Sequence, residues 1–194
     1  MSPPSLSWIA AAGVALVMAG GMKVSAEIID RVMAILPGQI ITQSDVEAAI
    51  ALGLVEPSGG NDRLSAGVSA LIDRLLMLAE VRRVVPPEPS ESEVEQRAAM
   101  IRAHTGSPAD YARVLATSGI DDAVVRMHAA DDLRLAAYLD ERFSAASQPT
   151  DQEVLQAGAG SRARLADERR RALLAAWTAE LRRRADIVLP AAAP

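Results

Sequence analysis

The side chains able to do chemistry in this 194-residue chain are few, and their spacing suits no reaction. His104 and His128 fall on separate helical stretches. A bound metal needs three or four convergent ligands, and no H-x-x-x-H, C-x-x-C or carboxylate cluster joins these two. They read as a helix-terminal and a helix-face histidine. Cysteine is absent, which removes disulfides, thiol catalysis and Cys-ligated zinc. Asp121–Asp122 and Asp131–Asp132 are adjacent pairs. Neighbours at i, i+1 diverge on a helix, so neither pair can share a proton, and both are expected on a solvated face. No G-x-S-x-G, P-loop or dinucleotide fingerprint occurs. Gly158 and Gly160 read as linker, because no strand precedes them. The expectation is a protein with no catalytic, cofactor-binding or metal-ligating residues, and so not an enzyme.

The arginines are the one charged feature with spacing. Arg162, Arg164, Arg169, Arg170, Arg171, Arg182, Arg183 and Arg184 crowd the last helical stretch, where a basic face could meet nucleic acid or anionic lipid. Asp167, Glu168 and Glu180 dilute that face, and Arg182–Arg184 stand where a helix C-terminus favours cations. The net charge of −5 argues against nucleic acid as a partner. A weak contact with lipid headgroups or with a bound substrate is the alternative to that helix-end role.

The elements that would position these residues are helical. Half of the chain is hydrophobic but only 3% is aromatic, so the core must be aliphatic, which favours helices over a sandwich. The mature chain opens on Ile28–Leu36, a β-branched run. Pro37-Gly38 and Gln39–Thr42 follow, which together predict a β-hairpin. Ser44 with Glu47 forms a capping box for a short helix to about Leu52. A loop from Gly53 to Asp62 precedes the longest apolar helix, Arg63 to about Val85. Its broad face is Val68, Leu71, Ile72, Leu75, Leu76, Ala79 and Val81, with Asp73, Arg74, Glu80 and Arg83 on the wet side.

Pro86-Pro87 stops that helix. Ser90 with Glu93, or Ser92 with Glu95, caps the next, to about His104. Ser107-Pro108 starts another that ends near Gly119, and Asp121-Asp122 start a long one reaching about Phe143. Ser144–Pro149 is a polar break, and Thr150 with Glu153 caps a short turn of helix. Ala157–Gly160 is a hinge. The last helix, about Arg162 to Arg184, carries Leu173, Trp177 and Leu181 at steps of four. Trp177 is expected to anchor that helix on the one before it. Ile187–Leu189 is a spare β-prone run, and residues 190–194 form a disordered tail. The fold class is mainly α, with a small β-hairpin joined by a C-terminal strand.

The first segment reads as an address. Leu6–Met22 is apolar and rich in Ala and Gly, and Val24-Ser25-Ala26 is a small-x-small pattern, so residues 1–26 are a secretory signal peptide cleaved after Ala26. No Lys or Arg precedes the apolar run, so a retained membrane anchor is the alternative. Cleavage removes Lys23, the only lysine, and makes the mature chain more acidic still.

The order of elements resembles the N-terminal chaperone domain of SurA-type periplasmic proteins. The likeness is carried by Val32–Ile35 with Ile40–Val46, Ala70–Val84, Ser92–Ile101, Tyr111–Gly119 and Val124–Phe143. Ala172–Leu189 resembles the family's C-terminal helix and strand, which dock back on that domain. The resemblance therefore makes residues 27–189 one domain, closed by 162–189. In that family a parvulin prolyl-isomerase domain follows a segment similar to Gln148–Val154. Here about fifteen residues separate Val154 from Arg169, where such a domain needs on the order of a hundred. The resemblance implies a periplasmic holdase for unfolded outer-membrane proteins, without isomerase activity.

Peptide capture in an apolar groove works through many weak contacts and leaves no motif. Met77, Met100 and Met127 are available for an adaptable surface, with core filling the expected role of each. Two other readings stand beside the holdase. One is an assembly subunit using the same groove for one folded envelope partner. The other is an accessory to a separate isomerase.

Overall fold

The computed structural model describes residues 30–58 and 62–190. The signal peptide, its cleavage site at Ala26, Ile28-Ile29 and residues 191–194 of the expected tail lie outside the described residues.

β1 (Val32–Leu36) and β2 (Gln39–Thr42) pair antiparallel around Pro37-Gly38. Gly38 takes φ +79°, a conformation open to glycine at little cost, so the two-residue turn closes without strain. A register shift between Val32 and Ala34 bends β1. The expected third strand is a single antiparallel bridge, in which Val188 exchanges both backbone hydrogen bonds with Ile35 at 2.9 and 3.0 Å. Pro190 follows two residues later and cannot donate to a ladder, which limits the pairing to that bridge.

Seven helices follow the hairpin among the described residues: α1 (Gln43–Ala51), α2 (Arg63–Val84), α3 (Glu91–His104), α4 (Pro108–Ser118), α5 (Asp122–Ser147), α6 (Asp151–Ala157) and α7 (Ser161–Arg184). The fold is mainly α with a small hairpin, as the composition predicts. The caps account for most boundaries. Ser90 with Glu93, Ser107 with Pro108 at N1, Asp121, and Thr150 with Glu153 all act as the sequence predicts.

The cap of α1 differs. Thr42, not Ser44, is the N-cap, and its box partner is Asp45, not Glu47. Thr42 ends β2 with extended backbone, which is already N-cap geometry, so strand passes to helix with no spacer. Ser44 instead donates to Asp30, and that bond holds the Asp30 carboxyl below its ordinary range. The end of α5 differs too, since the expected break at Ser144 is helical to Ser147. Ser147 Oγ returns its hydrogen bond to the Ser144 carbonyl at 2.9 Å, and Pro149 sets the stop.

α2 is central and touches α1, α5 and α7. Gly67 makes the crossing with α1 possible: a Cβ there would sit 2.5 Å from Ile50 Cδ1 and 2.9 Å from Val46 Cγ1. Val85 ends α2 at φ +51°, uncommon for a β-branched residue, because Pro86 disfavours the right-handed conformation before it. The buried face is Gly67, Val68, Leu71, Ile72, Arg74, Leu78 and Val81. Two expectations fail here. Ala79 is exposed, and Arg74 is buried.

Three apolar clusters share this scaffold. The first joins Ala34, Leu36 and Ile41 of the hairpin to Val46, Val68, Leu71 and Ile72. The second joins Leu78 and Val81 to Leu135, Tyr138, Phe143, Trp177 and Leu181. The third packs Val94, Ala98 and Ile101 of α3 on Val125 and Ala129 of α5, with Leu52. Among the described residues no helix is long and apolar enough to cross a membrane.

Candidate functional site

A cleft of about 210 Å³ opens where β2 and α1 face α2 and α5. Its walls are mostly apolar: Ile41, Leu52 and Leu54 on one side, Leu71, Leu75 and Leu78 on the other, Ile120 and Met127 across from them. Phase explains the α2 wall. Residues 71, 75 and 78 recur at steps of four and three, so they share one helical face.

Arg74 lies on that same face, three residues after Leu71 and four before Leu78. It is only 8% exposed and lines the cleft with Arg82, His128 and Asp131. Arg74 Nη1 pairs with Asp132 at 2.5 Å. Asp132 also receives Arg97 of α3 at 2.6 Å. Asp131, 6% exposed, receives Arg82 and Arg134, each at 3.2 Å, and Arg134 reaches Glu88 as well. A buried ion pair of this kind costs about several kcal/mol per ion in desolvation and holds only when hydrogen bonds meet the remaining donors and acceptors. One remains unmet. Arg74 Nη2 is buried and has no hydrogen-bond partner.

The expectation of a solvated face for Asp131–Asp132 is therefore wrong. The two do diverge, as neighbours must, but into two different arginine pairs, because α5 is packed on α2 and on α3. Asp121–Asp122 divides similarly. Asp121 caps α5, while Asp122 takes Arg102 at 2.8 Å and the Tyr111 hydroxyl at 2.7 Å. Arg102 and Tyr111 hold the Asp122 carboxyl below its ordinary range. Burial, with Asp122 beside it, raises the Tyr111 hydroxyl. This is a seam between helices and leaves no acid or base free.

The histidines separate. His104 is exposed at the end of α3, against Gly53. His128 is half-buried on α5 and faces the cleft. Burial pushes its imidazole below the ordinary value, and Arg74 pushes the same way. Among the described residues no group of three His, Asp or Glu is placed to hold a metal.

Most of the α7 arginines are spent within the protein. Arg162 binds Asp151, Arg164 binds Glu168, Arg169 binds Glu153 and the Gln148 carbonyl, and Arg170 binds Asp140. Arg171 donates to the Asp167 carbonyl. Arg182 reaches Asp73 and Ser69 on α2, and Arg183 and Arg184 share Glu180. Trp177 anchors α7 as expected, 5.7 Å from the Tyr138 ring and 5.9 Å from the Phe143 ring.

The methionines divide. Met77 fills the second cluster, but Met100 is 62% exposed and Met127 50% exposed, so core filling fails for those two. Met127 stands at the cleft. The site residues that composition hides, Arg74, Asp132 and His128, carry a signal in phase alone. Val125, His128, Ala129, Asp132 and Leu135 recur at three- and four-residue steps, which puts both polar residues on the packed face.

No protein-family model matches the chain, and no curated protein matches it.

Proposed function

We propose that the protein is a periplasmic holdase of the SurA type that lacks the isomerase domain and binds unfolded outer-membrane polypeptides. The observation that carries this reading is the apolar cleft between β2, α1, α2 and α5, with half-exposed Met127 at its wall. An unbranched thioether adapts to different side chains, which suits capture of varied clients. The resemblance in element order supports the same reading, as does the return of the chain through α7 to a bridge at Val188.

The test is suppression of aggregation, followed by light scattering, for several unrelated unfolded clients. Weak protection of all of them at near-stoichiometric concentrations is expected. Protection of none would overturn the holdase reading.

A second reading, an assembly subunit with one folded envelope partner, is favoured by another observation. Ile35, Ile40 and Val188 sit together on the sheet and are all exposed. Tight binding of one partner, abolished by Ile40→Asp, would select that reading over the holdase.

A further inference from the structure

The outer edge of β2 carries backbone groups that pair with nothing among the described residues. Val188 exchanges both backbone hydrogen bonds with Ile35, so the Ile35 N–H and C=O point away from β2. Ile35 stands opposite Ile40, and the two are therefore a non-hydrogen-bonded pair of the antiparallel ladder. The Ile40 N–H and C=O then point outward, where neither meets a partner among the described residues. Native sheets commonly blunt such an edge with charge, proline or a covering element. β2 carries no charged residue and no proline, and Ile40 is 59% exposed.

The same edge is a lip of the cleft. Side chains alternate faces along a strand, so Gln39 and Ile41 share one face and Ile40 takes the other. Gln39 and Ile41 line the cleft, whereas Ile40 lies beside Ile35 and Val188 on the outer face. A strand laid along β2 therefore sends every second side chain toward the cleft. The charges there balance, Arg74 and Arg82 against Asp45 and Asp131, while burial and Arg74 disfavour the charged form of His128. That lining matches an uncharged occupant. About 210 Å³ is below the roughly 300–1,000 Å³ of ordinary small-molecule pockets, so the cleft takes side chains and not a whole ligand.

We propose that an extended polypeptide segment adds to β2 as an antiparallel strand, its alternate apolar side chains entering the cleft. One residue of the segment, opposite Ile40, exchanges both backbone hydrogen bonds with it, as Val188 does with Ile35 on the other side of the hairpin. The inference rests on the peptide-capture reading and adds how the client is held. Backbone is common to every sequence, so strand addition suits varied clients, with alternate side chains setting the preference. A second copy of this chain matches the edge less well. Two-fold pairing about Ile40 sets Ile41 opposite Gln39, and Ile41, 1% exposed, is already spent in its own core. The copy then offers the apolar cleft only the polar Gln39.

The experiment uses the full protein and a fluorescein-labelled decapeptide in which valine alternates with serine. Two further versions carry N-methyl groups on the serine amides alone or on the valine amides alone. With the valines toward the cleft, the serines share the face of Ile40 and turn their N–H and C=O to β2. Fluorescence anisotropy is expected to show serine N-methylation weakening binding about tenfold or more, and valine N-methylation much less. Equal losses, or a larger loss from the valine series, would overturn the antiparallel strand and leave peptide capture standing. Binding of none of the three would overturn both. Amide hydrogen exchange, read by NMR on the unaltered protein, locates the strand. The Ile40 N–H is expected to exchange rapidly in the peptide-free protein and about tenfold more slowly, or slower still, with saturating peptide. Peptide binding that leaves Ile40 unchanged would overturn the proposal. So would protection of Ile40 without peptide: if it grows with protein concentration the edge belongs to a second copy, and if it does not the chain itself covers the edge.

Discussion

At the C-terminal half of α2, Leu78 and Val81 lie against Tyr138, Phe143, Trp177 and Leu181. At the N-terminal half, Val68, Leu71 and Ile72 meet aliphatic side chains of the hairpin and α1. The first region is joined by bulky rings from sequence-distant helices. The second depends on close approach at Gly67 and on a single β-bridge. The candidate cleft opens beside the aliphatic region, where less side-chain mass is available to close it. The difference separates the two: the aromatic region holds the helices together, and the aliphatic region leaves a cleft open.

The largest way to break this comparison is to remove the segment that serves both regions. α7 supplies Trp177 and Leu181 to the aromatic cluster and ties Arg182 to Asp73 and Ser69 on α2. Beyond it, Ile187 packs on the aliphatic cluster and Val188 bridges Ile35. Burying Leu173, Trp177 and Leu181 contributes roughly 5–8 kcal/mol before entropy, comparable with the whole stability of a small domain. Truncation after Gln156 should therefore abolish cooperative folding. A cooperative melt near the full-length temperature would mean that neither region needs α7.

Single substitutions then rank the two regions. Trp177→Ala should cost about 3–5 kcal/mol in urea unfolding, because the Tyr138 and Phe143 rings and the aliphatic side chains of that cluster lose their filler. Ile41→Val, fully buried in the aliphatic region, should cost about 1 kcal/mol. A larger loss from Ile41→Val than from Trp177→Ala would invert the comparison.

How much of this was legible in sequence depends on which physics set each feature. Caps are local, and Ser90, Ser107, Asp121 and Thr150 announce their helices from a few residues alone. Trp177 was legible because its steps of four to Leu173 and Leu181 define a stripe. The cap of α1 was not, since Thr42 belongs at once to β2 and to the helix, and Ser44-x-x-Glu47 offers an equally good local pattern. The candidate site was largely hidden. Residue type places Arg74, Asp131 and Asp132 in water, whereas their partners are tens of residues away on other helices. Only the helical phase they share with Leu71, Leu78 and Leu135 hinted at burial. Polarity alone puts these side chains in water, phase puts them on the packed face, and the fold follows phase.

The charged pairs between the two regions give a third, intermediate effect. Asp132→Asn leaves Arg74 buried without its counter-ion and frees Arg97, whose half-exposed guanidinium water can serve. The cost should be about 3 kcal/mol, set by the Arg74 side, as for other broken buried pairs. Replacing both ends, with Arg74→Met and Asp132→Leu together, should recover most of it, because neither end of that pair is then a buried charge without its partner. If the double variant is no more stable than Asp132→Asn, the pair is held by something other than mutual neutralisation.

The smallest effect is one of pH, and it separates the cleft from the rest of the molecule. In the folded protein the His128 imidazole titrates below its ordinary 6.5, through burial first and then Arg74, with Arg82 adding to it and Asp131 and Asp132 opposing. Between those two values the unfolded chain binds a proton that the folded chain does not. The stability this contributes is therefore complete above about pH 6.5 and is lost as pH falls toward the folded value. The slope from one such group cannot exceed about 1.4 kcal/mol per pH unit. The carboxylates held low by hydrogen bonds, Asp30, Glu93, Asp110, Asp122 and Glu153, titrate below pH 5.5 and do not confuse a comparison made above it. Urea unfolding at pH 7.5 and 5.5 should show a loss in the parent protein that His128→Gln removes and that His104→Gln, at an exposed position, leaves in place. The same slope in all three would detach His128 from the stability of the fold.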